Sequence, residues 1–196
     1  MKSFPALLAA IAATLVLSSC TSPATDERAG HDQATATSTS AVQPAAFNDA
    51  DVAFATNMIP HHQQAVEMSA MVPDRSTDPA VAKLAADISA AQGPEIETMK
   101  AFLVQWNAGE SEHQGHGDMA MDGMVDQAAM TKLESLEGAE FDTLWLQSMI
   151  GHHEGAIKMA QAELTGGANA DAKTLAQQIV TGQQAEIVQM KQMLGE

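Results

Sequence analysis

The stretch "MIPHHQQAVEMS" (residues 58–69) recurs almost unchanged as "MIGHHEGAIKMA" (residues 149–160). Each copy is a Met-Ile-x-His-His sequence followed by a second Met, and the two copies are 91 residues apart. The same offset aligns "LAADISAAQGPEIETMKAFL" (84–103) with "LAQQIVTGQQAEIVQMKQML" (175–194) without gaps. Similarity at one fixed offset indicates that the chain contains a duplicated unit.

Each unit has the apolar spacing of two helices. In the first unit, Asn48 begins a capping-box pattern, and the helix that it starts is expected to end near Met71, before the breaker sequence "VPDRST". Asp78, which is followed by a proline, predicts the N-terminus of a second helix. This second helix is expected to kink at Gly93-Pro94.

The second unit predicts helices over residues 139–165 and 170–194, and Asn169 takes the capping position that corresponds to Asp78. No segment alternates with a period of two for long enough to predict a strand. Two helical hairpins bury their apolar faces most simply against each other. We therefore predict an all-α fold, an antiparallel four-helix bundle of the halves 47–107 and 139–196. The connector, residues 108–138, is expected to hold one short extra helix at 127–136.

The N-terminal residues have the features of an export signal. Lys2 precedes an apolar run, and "LSSC", which ends at Cys20, resembles a bacterial lipobox. We therefore predict a lipoprotein signal peptide over residues 1–19, lipidation of Cys20, and a flexible linker over residues 20–46. The folded domain, residues 47–196, would then be anchored through lipid on the extracytoplasmic face of the bacterial cell membrane or envelope.

The chain is strongly acidic, with 25 Asp and Glu against 9 Lys and Arg and a formal net charge of −16. This charge argues against nucleic acid and against an anionic membrane surface as partners. The lipid anchor is therefore the only membrane attachment that we expect. Cys20 is the only cysteine, so the chain forms neither an internal disulfide nor a thiolate cluster.

The repeated stretch brings imidazole and thioether groups to one helix face. At about 100° per residue, its His and Met side chains fall within an arc of roughly 120°, and this is the face that must pack inward. In the first unit these residues are Met58, His61, His62 and Met68. In the second unit they are Met149, His152, His153 and Met159. A bundle in which the two faces meet would collect up to four imidazoles and four thioethers.

Burial of imidazoles without partners is unfavourable by about 1–3 kcal/mol for each unsatisfied group, and a metal ion would satisfy them directly. Structural zinc usually takes Cys thiolates, whereas calcium and magnesium take oxygen ligands. Imidazole combined with thioether suits copper, above all Cu(I), with Cu(II) and Ag(I) as further candidates. The eight residues of the two faces are therefore predicted metal ligands.

The connector carries a second set of candidate ligands. Its sequence "HQGHGDMAMDGM" (113–124) is rich in Gly and poor in residues that could form a core. We interpret it as a mobile metal-capturing arm, and the competing interpretation is a disordered loop of low complexity. Its candidate ligands are His113, His116, Met119, Met121 and Met124.

The two Met-Ile-x-His-His copies, with a linking segment rich in His, Gly and Met, resemble the DUF305 family over about residues 47–195. The resemblance implies a ferritin-like bundle and an exported copper-binding protein for sequestration, resistance or transfer. A copper-donating or copper-accepting protein would then be its partner. By matching positions, the resemblance points to the same eight residues of the two faces. Gln63-Gln64 departs from Glu154-Gly155, which leaves open whether the two halves bind alike.

Two alternatives to copper binding remain at this point. In a purely structural or interaction module, the His pairs would hydrogen-bond inside the core, with Glu95 and Glu186 as partners. In a ferritin-like di-iron oxidase, these two residues would supply carboxylates. The only Glu-x-x-His motif is Glu110 to His113, in the connector, so the oxidase ranks below copper binding. We expect a binding protein and not an enzyme.

Overall fold

Five α-helices make up the secondary structure of the computed structural model, which describes residues 46–108 and 122–196. The helices are α1 (Asp49–Arg75), α2 (Pro79–Gln105), α3 (Gln127–Ser135), α4 (Gly138–Gly166) and α5 (Ala170–Leu194). These two ranges contain no β-strand. The hairpin α1–α2 packs on the hairpin α4–α5, mainly through α1 and α4. The predicted all-α four-helix bundle with a short helix in the connector is therefore confirmed.

The helices α1 and α4 run antiparallel. Near the start of α4, the indole Nε1 of Trp145 donates a hydrogen bond to the carbonyl oxygen of Met68, in the second half of α1 (3.0 Å). At the other end, the side-chain amide of Asn48 donates to the carbonyl oxygen of Gly166, the last residue of α4 (2.8 Å). Because α2 is also antiparallel to α1, it is parallel to α4. The end of α2 and the start of α4 therefore lie at opposite ends of the bundle.

The predicted helix starts are confirmed because they depend on local capping. Asn48 forms a capping box with Asp51, and Asp78 and Asn169 each accept hydrogen bonds from the first turns of α2 and α5. Phe47 stacks on Trp106 at the end of α2, with 5.3 Å between ring centres. This contact joins the start of α1 to the end of α2.

The predicted end of the first helix near Met71 is wrong, because α1 continues through Pro73 to Arg75. Pro73 removes only one hydrogen bond, within the last turn. Val72 is fully buried in the core, and its packing keeps this turn helical. The helix α2 also continues through a proline, Pro94.

The core consists of two clusters, one on each side of the repeated His residues. The first core cluster includes Ala65, Met68, Phe141, Trp145 and Met149. The second core cluster includes Phe54, Met58, Ala156, Ala160 and Ile179. Residues 61–62 and 152–153 lie along α1 and α4 between these clusters. Within the described ranges, no helix is both long and apolar enough to cross a membrane.

Candidate metal centre

His61 of α1 and His152 of α4 meet between the two core clusters, and we call them the inner pair. Their ring centres are 3.8 Å apart, the ring planes are inclined by 38°, and both side chains are fully buried. The 91-residue offset relates these two positions, so each ring contacts its own counterpart in the other unit. For these two rings, the inward faces meet as the sequence predicts.

The inner pair is electrically neutral near pH 7 because of its burial. Burial lowers the pKa of His61 to about 4, and the nearby His62 acts in the same direction. Burial also lowers the pKa of His152 to about 2, and the adjacent His61 ring adds to this effect. None of the four ring nitrogens makes a hydrogen bond of normal geometry with the described residues, although the backbone of Asp122 near His61, and that of His61 near His152, act to raise the two pKa values. Neutral imidazole with a free lone pair is the form that binds metal ions.

His62 and His153 form an outer pair with different surroundings. His62 Nε2 lies 2.8 Å from Glu95 Oε2 and links α1 to α2, and His153 Nε2 lies 2.7 Å from Glu186 Oε2 and links α4 to α5. Both rings are fully buried, whereas each Glu side chain is 21% exposed. These are the hydrogen bonds that the structural alternative predicts. The four imidazoles therefore fall into an inner pair and an outer pair with different surroundings.

The four repeated methionines are divided between the two core clusters. Met68 and Met149 lie in the first core cluster, and Met58 and Met159 pack in the second. The reason is the antiparallel packing of α1 on α4, which sends equivalent residues to opposite sides of the inner pair. Met58 and Met149 are three residues from an inner His, about one helical turn, and the other two are seven residues away, about two turns.

The donor set of the described residues is not that of a zinc site. Over residues 46–108 and 122–196, no three His, Cys, Asp or Glu side chains are grouped so that they could hold a metal ion. A tetrahedral zinc site takes three or four such ligands. The groups that this part of the chain does bring to the centre are neutral imidazoles, with thioethers one turn away on either side.

One end of the connector packs against the same region of α1 and α4. The side-chain amide of Gln64 donates to the carbonyl oxygen of Val125 and accepts from its backbone N–H, both at 2.8 Å. On α4, Gly155 occupies the position that corresponds to Gln64, and a Cβ built there would overlap the carbonyl oxygen of Asp122. The sequence difference between the repeats therefore has a structural reason. Gln64 binds the connector, and Gly155 makes room for it.

Of the candidate ligands in the predicted arm, Met124 lies among the described residues, where it is half-buried beside the bound Val125. The remaining candidate ligands of the connector, and the predicted lipidation site, lie outside the described residues: His113, His116, Met119, Met121 and Cys20. The predicted signal peptide (1–19) and all of the predicted linker (20–46) except its last residue also lie outside them.

Sequence reasoning missed a buried acid pair at one end of the bundle. Asp51 and Glu163 are 0% and 1% exposed. Burial acts to raise the pKa of Asp51, but backbone N–H groups of Asn169 (2.8 Å) and Asn48 (2.6 Å) donate to its carboxylate and lower it. Burial raises the pKa of Glu163 to about 7, and the neighbouring Asp51 adds to this. The repeat gave no signal for this pair, because the position equivalent to Glu163 is Val72.

The chain matches a known protein family and several solved structures. The model of DUF305, a domain of unknown function, matches residues 51–194. The crystal structure of a DUF305 protein from Streptomyces coelicolor, assigned as secreted, is 36% identical, with a TM-score of 0.68 over 74% of this chain and 92% of that chain.

A second solved structure is CopM in its Cu(II)-bound form, which is 36% identical, with a TM-score of 0.60 over 73% of this chain and 94% of that chain. CopM has also been solved with Cu(I), with silver and in the apo form. Uncharacterized protein L153 of Acanthamoeba polyphaga mimivirus is 40% identical over 63 residues, 32% of this chain. The match spans 41% of the length of that curated relative.

Proposed function

The chain belongs to the DUF305 family, and we propose that it is a metal-binding protein that takes up copper, chiefly as Cu(I), outside the cytoplasm. The inner pair carries this proposal. It consists of two neutral, fully buried imidazoles whose four ring nitrogens make no hydrogen bond of normal geometry with the described residues. Each unsatisfied group is unfavourable by about 1–3 kcal/mol, and a metal ion bound to both rings would remove this loss.

The ligand types favour a soft monovalent ion. Imidazole and thioether suit Cu(I) and Ag(I), and Met58 and Met149 supply thioethers one turn from the inner pair. The ring centres of the inner pair are 3.8 Å apart, so the two imidazoles lie side by side at one place in the core. The structural similarity to CopM, which has been solved with copper and with silver, supports the same class of metal here.

We propose binding rather than catalysis. The carboxylates that a di-iron site would need, Glu95 and Glu186, are each paired with an outer-pair imidazole. The predicted export signal and the lipid anchor at Cys20 would hold the protein on the extracytoplasmic side. There it would sequester copper, confer resistance, or transfer the metal to or from a partner protein.

A competition titration tests this function. The purified protein is titrated with Cu(I) under reductant against a chromophoric chelator, with Zn(II) in a parallel series. We expect saturable binding tighter than micromolar and a preference for Cu(I) over Zn(II). The variant His61→Leu/His152→Leu should lose the tightest site. In the matched control, Ile88→Leu/Ile179→Leu, two buried residues related by the same offset also become Leu, and binding should be unchanged.

The structural alternative has one observation in its favour, the hydrogen bonds of the outer pair to Glu95 and Glu186. In that case the His layer would only join the helices, and copper would not affect stability. A ligand that binds only the folded protein stabilises it by about 2.7 kcal/mol at one hundred times its Kd. Thermal unfolding with and without Cu(I) therefore separates the two functions. An unchanged Tm, together with a parent-like titration of the inner-pair variant, would favour the structural module.

A further inference from the structure

Residues Asp122–Val125 of the connector are held on both α1 and α4, and we call them the crossing segment. On α1, the side-chain amide of Gln64 makes two hydrogen bonds with the backbone of Val125, both at 2.8 Å. On α4, the Nζ of Lys158 donates a hydrogen bond to Oδ2 of Asp122 (2.7 Å). The crossing segment therefore joins one repeated unit to the other.

On α4, the crossing segment approaches the backbone of the helix itself. Gly155 is buried, and a Cβ built there would overlap the carbonyl oxygen of Asp122. Gly123 has a φ of +88°, which favours glycine, and a Cβ on it would lie 2.8 Å from the carbonyl oxygen of Gly151. This close approach needs glycine on both sides, so α4 and the crossing segment fit each other.

The two contact points place the crossing segment over the inner pair. Gln64 follows His61 by three residues, and Gly155 follows His152 by three, about one helical turn in each case. Because α1 and α4 run antiparallel, the two contact points lie on opposite sides of the inner pair. A segment that joins them crosses the pair, and the backbone of Asp122 is close enough to His61 to raise its pKa.

A metal ion needs a route to the inner pair, because both rings are fully buried. The two core clusters lie on either side of the pair along α1 and α4, so a route from the ends of the bundle would pass through packed core. The crossing segment is held by less: two side-chain hydrogen bonds, the partly buried Val125, and an ion pair whose Lys158 and Asp122 side chains are 62% and 64% exposed. Segments with few buried contacts are the ones that open locally.

We propose that the crossing segment is the gate of the copper site, which closes over the inner pair and moves away whenever a metal ion enters or leaves. This inference rests on the proposed function and adds control of the exchange rate to it. The gate is closed in both the metal-free and the metal-bound protein, and it supplies no ligand to the tightest site. The helices stay packed while it opens.

Two variants weaken closure from opposite helices. Gln64→Ala removes both hydrogen bonds on α1, and Gly155→Ala places a methyl group where the carbonyl group of Asp122 lies. Each has a matched control on the same helix. Gln63→Ala changes the exposed neighbour of Gln64, and Gly151→Ala adds a Cβ that meets nothing within 4 Å.

Stopped-flow measurements of Cu(I) uptake from a weak complex, and of its release to an excess of a chromophoric chelator, test the gate. Because closure is weakened equally in the free and the bound protein, uptake and release should both become faster by the same factor, and Kd should stay unchanged. For the loss of two hydrogen bonds we expect about a 10-fold increase. The two controls should keep the rates of the parent.

Two kinetic results would overturn the inference. Parent-like rates in both Gln64→Ala and Gly155→Ala would mean that entry does not depend on the crossing segment. Faster release with unchanged uptake, and hence a weaker Kd, would mean that the segment supplies a ligand instead of a gate.

Opening of the gate can also be measured without metal. The backbone N–H of Val125 donates to Gln64, so its hydrogen exchange reports on the crossing segment, whereas the amide of Met149, a fully buried residue of α4, reports on the bundle. We expect the Val125 amide to exchange about 10-fold faster or more, relative to its unprotected rate. Equal protection would mean that the segment opens only with the bundle, which overturns the gate and leaves copper binding intact. If the parent binds no Cu(I), the proposed function fails, and the gate fails with it.

Discussion

Replacement of the inner pair by Leu separates a role in ligand binding from a role in stability. His61→Leu/His152→Leu removes two unsatisfied imidazoles, each unfavourable by about 1–3 kcal/mol, and adds side chains of similar size. Imperfect repacking would offset this gain by about 1–3 kcal/mol. In the metal-free protein near neutral pH, we therefore expect the variant to be at least as stable as the parent, although most core substitutions destabilise a protein.

The difference in unfolding free energy between variant and parent should change with pH by an amount that can be calculated. Burial lowers the pKa of His61 from 6.5 to about 4, and that of His152 from 6.5 to about 2. Below pH 6.5 the unfolded chain binds protons that the folded chain does not, so the parent loses stability as the pH falls. Two such groups give a slope of about 2.7 kcal/mol per pH unit. Between about pH 7.5 and pH 5, the variant should gain roughly 4 kcal/mol relative to the parent.

Urea unfolding of chelator-treated protein, followed by far-UV circular dichroism across this pH range, measures the difference. All other titrating groups are common to the two proteins, so subtraction of the two unfolding free energies cancels their effects. For the control Ile88→Leu/Ile179→Leu, the difference in unfolding free energy from the parent should be the same at every pH. A difference between variant and parent that does not change with pH would mean that the inner imidazoles titrate normally in the folded protein. That result would contradict the effect of burial on the pKa values of His61 and His152.

Other described contacts give further expectations. Because the pKa of Glu163 is raised from 4.5 to about 7, the parent should lose about 2–3 kcal/mol of stability relative to Glu163→Gln between about pH 5 and pH 8; a difference in urea unfolding that does not change with pH would contradict this. Gly155→Ala should destabilise by about 1–3 kcal/mol, since its Cβ meets the Asp122 carbonyl. Gly151→Ala, with nothing within 4 Å of its Cβ, should stabilise by about 0.5–1 kcal/mol; thermal unfolding compares the two, and equal effects would argue against the close approach. Replacement of the three connector methionines by Leu should lower the number of Cu(I) ions bound and leave the tightest site, so loss of that site in the chelator titration would contradict the core location.

The helices could be predicted because their signals are local. The capping residues Asn48, Asp78 and Asn169 accept hydrogen bonds from backbone N–H groups two or three positions further along the chain. Both partners of each bond can therefore be identified from the local sequence. The end of α1 could not be predicted in this way. Its last turn persists past Pro73 because Val72 packs against residues of other helices, and no local pattern reports that packing.

The candidate site, too, could be predicted from the sequence only in its local features. The spacing of His and Met indicates which residues face inward, and the inner pair does meet. The spacing does not predict the register in which α1 packs against α4. Because of this register, Met58 and Met149 lie on opposite sides of the rings. The acid pair is also non-local, because Asp51 reaches the residues between α4 and α5 only after the bundle has formed.

The contact between His61 and His152 has a consequence for the origin of the fold. A residue that touches its own counterpart lies on the axis of a twofold interface, the arrangement found in symmetric dimers. A shorter ancestor with only one hairpin would therefore complete the His layer by pairing with a second molecule of itself. Fusion of two such genes keeps this layer and frees each half to change. Gln64 and Gly155, at equivalent positions, are such a change. Both contact the connector, which two separate hairpins would not need.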